Sequence, residues 1–271
     1  MDREDGPVAE SLPAAREIRR FSDTLLDVTD ATMRFGAVTA LSKVSWTLHR
    51  GEVLALLGDN GAGKSTMIKC LSGVYQLSEG QITLDGKPFN PRSPQEAREL
   101  GVETVYQDLA LFDNFNAAEN FYAGREKTWP SWAGPLGLIR KADMARSTNA
   151  VLQRLEVGVH DSQATIGLMS GGQRQAVAVA RSEAFANKIV ILDEPTAALG
   201  VRESRNVVKL VRRLPEKGIS VVLISHNLQE VLALADRAVV FRQGRKVGEA
   251  IPTPENQEKL VSMIVGASHV T

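Results

Sequence analysis

One short segment constrains this chain more than any other: Gly58-Asp59-Asn60-Gly61-Ala62-Gly63-Lys64-Ser65-Thr66. It contains G-x-x-x-x-G-K-S and follows a continuous apolar run, Val53-Leu54-Ala55-Leu56-Leu57. A run apolar at every position is a strand covered on both faces, so the chain needs a layered α/β core. A helical pattern follows through Met67, Ile68, Cys70, Leu71 and Val74. Between strand and helix, the glycines let the backbone wrap an anion with its N–H groups turned inward. The start of the helix adds its positive end to the same place. In such a loop Lys64 reaches β- and γ-phosphates and the Ser65 hydroxyl ligates Mg²⁺.

Three further apolar runs end in polar groups. Tyr106 is followed by Gln107, Leu192 by Asp193-Glu194, and Ile224 by Ser225-His226. In open parallel sheets ligands bind beyond the carboxyl ends of the strands, so parallel pairing would gather these residues on one edge. Asp193 then partners Mg²⁺, Glu194 polarises an attacking water, and His226 holds the γ-phosphate or orients that water. Gln107 offers an amide to metal and water. Together with the loop they point to hydrolysis of a nucleoside triphosphate.

Charge narrows the alternatives. Lys plus Arg number 32 and so do Asp plus Glu, which argues against nucleic-acid binding through a strongly basic face. The single cysteine, Cys70, leaves no intrachain disulfide and suits a reducing compartment; its apolar neighbours make it a core residue. No apolar run approaches the roughly 18 residues that span a bilayer. The first residues lack the apolar stretch of a secretory leader, so the chain is expected to be cytosolic by itself.

Residues 1–25 read as a polar tail, and 26–271 as one domain. Short β-rich runs are expected over 26–52, a hairpin at Gln81–Leu84 with a turn at Asp85-Gly86, and strands at 102–106, 189–192, 220–224 and 238–241. The block 108–186 reads as mostly helical, broken near Trp129–Pro135; Trp129 and Trp132 are taken as a packed surface loop, with contact to a membrane partner as the alternative. The order predicts an α/β fold: a parallel core built from 26–107 and 187–271, an antiparallel β edge, and a helical insertion.

Met169-Ser170-Gly171-Gly172-Gln173 opens another helix pattern. Ser170 and Gln173 have capping-box spacing. The two glycines also leave backbone N–H groups open to a phosphate, a second anion-binding helix start. A head-to-tail pair of chains would close each Ser170–Gln173 segment over the nucleotide held by the other.

The phosphate loop, Gln107, Ser170–Gln173, Asp193-Glu194 and His226 stand in the order and spacing of ATP-binding subunits of ATP-binding-cassette (ABC) transporters, which the chain resembles over about 26–250. Within that family it is most similar to carbohydrate importers of the ribose, xylose and fructose type. The stretches that carry this are Gly58–Ser65, Val105–Leu111 and Glu194–Ser204. The resemblance implies a P-loop NTPase fold with a RecA-like parallel sheet, and ATP with Mg²⁺ as cofactors. It implies Glu194, His226 and Gln107 as catalytic residues, and Ser65, Gln107 and Asp193 at the metal. Gly58–Thr66, Ser170, Gly171, Gly172 and Gln173 would hold nucleotide, and Phe35 would stack on adenine where the family often has Tyr. It further implies a homodimer, polytopic permease partners, an external sugar-binding protein, no nucleic acid, and a place on the cytoplasmic face of the membrane. Two departures stand out: Met169 replaces the usual Leu, and Gly200 replaces an Asp expected at the dimer contact.

Overall fold

Alternate residues of the apolar run feed two different cores. Val53–Leu57 forms a strand, β3, buried throughout. Val53, Ala55 and Leu57 join a cluster with Val177, Leu210 and Val231, while Leu54 and Leu56 join one with Trp46, Met67 and Ile68. Apolar cover on both faces explains why the run shows no alternation. The computed structural model describes residues 21–266 apart from 131, 133–135, 156–158, 160 and 198. Most of the expected tail, 1–20, lies outside the described residues; of the remainder, Thr24 and Leu25 already belong to a strand, with Leu25 buried.

β3 lies inside a six-stranded sheet. Beside it run β10 (Ser220–Ile224) and then β9 (Ile189–Asp193) and β6 (Val102–Val105); on its other side lie β11 (Arg237–Arg242) and β12 (Arg245–Ala250). β11, β3, β10, β9 and β6 are mutually parallel, and only β12 runs antiparallel, against β11. The carboxyl ends of β3, β6, β9 and β10 therefore share one edge, as their polar endings required.

A second, antiparallel sheet has the order β2 (Val38–His49), β1 (Thr24–Phe35), β4 (Glu79–Leu84), β5 (Lys87–Pro88). The expected turn joins β4 to β5: Leu84 pairs with Lys87, and Asp85 and Gly86 both have positive φ, the geometry of a tight hairpin turn. The β-rich runs of 26–52 are two long strands rather than several short ones. Their register shifts between Val28 and Met33 absorb Asp30 in a left-handed conformation.

The helix after the loop, α1 (Lys64–Leu71), stops before Val74. Gly73 turns left-handed, and the N–H groups of Ser72 and Val74 return to the carbonyls of Ile68 and Lys69, a glycine-closed helix end that leaves Val74 exposed. Cys70 is buried on this helix, and burial pushes its thiol up to about 12. A short helix, α2 (Pro94–Glu99), precedes β6. Between β6 and β9 three helices, α3 (Ala117–Tyr122), α4 (Lys141–Arg154) and α5 (Gly171–Phe185), alternate with loops. A hairpin of β7 (Thr128–Trp129) with β8 (Leu138–Ile139) interrupts them. Trp129 and Trp132 are exposed there, not packed down. α6 (Val201–Glu216), α7 (Leu228–Leu234) and α8 (Gln257–Val265) complete the chain. Among the described residues no helix is long and apolar enough to cross a membrane.

The two sheets are tied by a buried ion pair. Arg237 at the start of β11 donates Nε to Glu52 Oε1 at 2.9 Å, while Glu52 Oε2 accepts the His49 N–H at 2.7 Å. Arg237 Nη2 also donates to the Thr47 carbonyl at 2.6 Å. Glu52→Ala leaves the guanidinium only Glu249 and the Thr47 carbonyl and strands the His49 N–H, so a loss of about 2 kcal/mol is expected. A urea midpoint lowered at unchanged slope would show it; an unmoved midpoint would refute it.

Candidate functional site

The loop after β3 is built by glycine. Gly63 is the N-cap of α1 with φ of 103° and no side-chain cap. A Cβ there would lie 2.8 Å from Leu41 Cδ2 and 2.9 Å from the Ala40 carbonyl oxygen, so the loop can close onto β2 only through glycine. The uncapped first turn leaves its N–H groups for an anion. Asp59, Asn60, Gly61 and Ser65 stay exposed, while Ala62 is buried and Gly58 and Thr66 lie in between. Lys64 Nζ arches back over the loop and donates to the carbonyls of Gly58 at 2.6 Å and Asp59 at 2.9 Å. Burial lowers the pKa of this ammonium, and the charges of Glu194, Asp193 and Asp59 oppose that shift.

The β9 end faces this ammonium. Burial, reinforced by the Glu194 charge, raises the pKa of Asp193; Lys64 works against the rise and Asp108 adds to it. Four carboxylates, Asp59, Asp108, Asp193 and Glu194, thus share an electrostatic neighbourhood with two ammoniums, Lys64 and Lys69, and it is short of positive charge. Glu194 has a left-handed φ of 51° and donates its N–H to the Ile224 carbonyl at 2.9 Å. That bend turns its carboxylate toward β10, where Oε1 lies 3.0 Å from His226 Nδ1. Gln107, beyond β6, lines an open depression with Tyr106, Asp108 and Asp193.

No cluster of three His, Cys, Asp or Glu that could hold a metal occurs among the described residues. The available donors are a serine hydroxyl, an amide carbonyl and one carboxylate, at Ser65, Gln107 and Asp193. All are hard oxygen ligands, too few for an all-protein cage. That set fits Mg²⁺ carried in on substrate phosphates.

Other predicted residues lie apart. The Ser170–Gln173 capping box is formed: Ser170 Oγ accepts the Gln173 N–H at 3.2 Å, and Gln173 Oε1 accepts the Ser170 N–H at 3.0 Å. Its glycines face the chain that enters α6: a Cβ on Gly171 would lie 3.6 Å from Leu199 Cδ2, before the helix, and one on Gly172 would press into the Glu203 side chain in its first turn. Phe35 closes β1, exposed rather than core, and meets Tyr75 edge-to-face with ring centroids 5.1 Å apart.

Sequence reasoning missed two supports. Arg181 on α5 donates to the carbonyls of Leu109 and Ala110 at 3.2 and 3.1 Å, pinning the loop after Gln107 to the helix that Ser170 caps. Its signal was an arginine set in the apolar stretch Val177–Ala180. Glu230, buried on α7, accepts the Ser225 hydroxyl at 2.5 Å, and Ser225 Oγ accepts the Asn227 N–H at 3.0 Å. This fixes the turn that carries His226; nothing in the local pattern announced it.

Comparison with known proteins accords with this geometry. The ABC transporter family profile matches residues 41–197. The chain is 43% identical over 247 residues to the fructose import ATP-binding protein FrcA of Rhizobium meliloti, covering 90% of this chain and 95% of that one. It is 40% identical to the xylose/arabinose import ATP-binding protein XylG of Sulfolobus acidocaldarius, covering 89% and 93%. To the ribose import ATP-binding protein RbsA 1 of Rubrobacter xylanophilus it is 41% identical, and there it spans only 47% of the relative. Among solved structures, a nucleotide-free ATP-binding cassette from an ABC transporter superposes with a TM-score of 0.77 at 25% identity, covering 89% of this chain and 97% of the other. A cassette in its ADP conformation gives 0.77 at 25% identity, covering 91% and 100%.

Proposed function

Because this chain belongs to the ABC transporter family, we propose that it is the ATP-hydrolysing subunit of an importer and powers uptake of a monosaccharide through separate membrane subunits. The observation that carries the sugar reading is the match along nearly the whole of a fructose import protein and a xylose/arabinose import protein. The aligned edge of four polar strand ends supports the ATPase.

In this reading Gly58–Thr66 cradles the phosphates of ATP. Lys64 exchanges its two carbonyl partners for β- and γ-phosphate oxygens, a stronger charge-assisted contact. Ser65, Gln107 and Asp193 would hold Mg²⁺, which supplies charge neutralisation across the transferred phosphoryl group. Glu194 takes the proton of the attacking water. His226 holds the Glu194 carboxylate in line and reaches toward the γ-phosphate. Ser170, Gly171, Gly172 and Gln173 receive the nucleotide held by a second copy of the chain, so binding closes the pair and hydrolysis reopens it. Gly200 removes a carboxylate from that contact. The domain is one cassette that begins with β1, with 108–186 as its helical part, peripheral on the cytoplasmic face of the membrane through permease subunits. An external binding protein presents the sugar, and nucleic acid plays no part.

Phe35 stacks on adenine. Base–aromatic stacking contributes about 1–3 kcal/mol, so Phe35→Ala is expected to raise KM for ATP about tenfold while kcat holds, and Phe35→Tyr to restore it. A fall in kcat at unchanged KM would refute the stacking role.

Purifying the tagged chain from native membranes in mild detergent tests the whole reading. A polytopic permease together with a solute-binding protein is the expected company. Ribosomes or DNA in their place would overturn transport and leave the ATPase site standing.

A further inference from the structure

The segment between α3 and α4 presents an apolar face that ATP chemistry does not use. In the β7–β8 hairpin Trp129 pairs with Leu138, and both are mostly solvent-facing, at 65% and 75% exposure. Trp132, at 87%, and Ile139, at 51%, are exposed in the same segment, Ile139 on the other face of its short strand from Leu138. Two water-facing tryptophans beside aliphatic tips form the kind of patch that marks an interaction site rather than scattered surface apolarity.

The charges beside this patch define what it meets. Arg140, Lys141 and Arg146 each expose more than half of their side chains. Their carboxylate partners, Asp143 and Glu119, are only 18% and 30% exposed, so these three cations outnumber the one exposed carboxylate just before the hairpin, Glu126. Arg140 and Lys141 stand at the N-terminal end of α4, which has no side-chain cap. The helix dipole is positive there too, and Asp143 in the first turn is shared between Arg140 and Arg146, which leaves a net positive charge for an external anion. Exposed Trp and aliphatic tips flanked by Lys and Arg match the interfacial layer of an anionic membrane.

Position agrees. Ala123, Gly124 and Arg125, immediately before the hairpin, line a cleft with Tyr106 and Ala110 from the loop that carries Gln107. We propose that the β7–β8 hairpin and the basic start of α4 form a docking surface for an anionic phospholipid bilayer, holding the cassette against the membrane beside its permease. The orientation of this face rests on the transport reading.

Cosedimentation of the full chain with phosphatidylcholine vesicles containing about 30 mol % phosphatidylglycerol tests the proposal. The wild-type chain is expected to sediment with a blue shift in tryptophan emission. Trp46 is buried, so the shift reports Trp129 and Trp132. Trp129→Ser/Trp132→Ser/Leu138→Ser and Arg140→Glu/Lys141→Glu are each expected to weaken binding about tenfold, as is raised salt. Both variants should keep wild-type ATPase activity, which reports folding; the charge reversal suits the helix dipole. No sedimentation of the wild-type chain, equal binding to pure phosphatidylcholine, or unchanged binding by both variants would overturn the proposal. So would variants that lose the permease in detergent while the wild-type chain ignores vesicles, since the patch would then be a protein contact. A chain that binds vesicles but co-purifies with ribosomes would refute transport instead, separating the two failures.

Discussion

Glu194→Gln is expected to bind ATP as the parent chain does and to turn it over about 10²–10⁴-fold more slowly, the usual worth of a positioned general base. The substitution keeps the shape of the side chain and a hydrogen-bonding oxygen for His226 Nδ1, now 3.0 Å from Glu194 Oε1. It keeps the backbone as well: Glu194 sits at φ of 51° with its N–H on the Ile224 carbonyl, and Gln meets the same constraints. What disappears is the capacity to accept a proton. It also removes one of the three negative charges that act on Lys64, which favours a bound polyphosphate. Nucleotide affinity should therefore hold or rise while hydrolysis collapses. Equilibrium binding of a labelled nucleotide, with single-turnover hydrolysis on the same preparation, separates the two. Equal single-turnover rates in both proteins would remove Glu194 from the chemistry and leave Asp193 or His226 as the group to examine.

Which parts of this site were legible follows from what a local pattern reports. β3 and the loop after it were readable because a strand covered on both faces is apolar at every position and because the loop's glycines are a chemical necessity. Parallel pairing then gathered Gln107, Asp193-Glu194 and His226 from sites far apart in sequence, since strand ends on one edge need only a common direction. The stop of α1 was misread because Val74 continues an apolar period, whereas the left-handed Gly73 ends the helix. Bulges in β1 and β2 shift the register mid-strand, so one long ribbon looks like several short runs. The reach of Arg181 to Leu109 and Ala110, and of Glu230 to Ser225, belongs to side chains that find partners through the fold. The Trp129 hairpin misled for a different reason: tryptophan is expected to be packed, and here its surroundings stop short of covering it.

Gly58→Ala is expected to leave little folded protein, whereas Gly61→Ala in the same loop should fold with a modest loss. Both glycines have positive φ, at 146° and 77°, so a motif-level argument treats them alike. Their surroundings separate them. A Cβ on Gly61 meets nothing within 4 Å, and a left-handed L residue costs about 1–2 kcal/mol. A Cβ on Gly58 would be driven into the Phe241 carbonyl oxygen and would lie 3.0 Å from Ala62 Cβ. Phe241 is fully buried in β11, whose Val240 pairs with Leu57 just before the loop. Relief would have to come from parting two central parallel strands, since neither backbone has a flexible end to yield. The cost is about 4 kcal/mol or more, a large share of the 5–15 kcal/mol that holds a domain together. Urea unfolding of the two variants beside the parent chain measures it, with the soluble fraction on expression as the first reading. Equal midpoints for the two variants would mean that the β3–loop corner does not need its close approach to β11. Gly58 would then serve the phosphate alone, and its loss would show in nucleotide affinity instead of in folding.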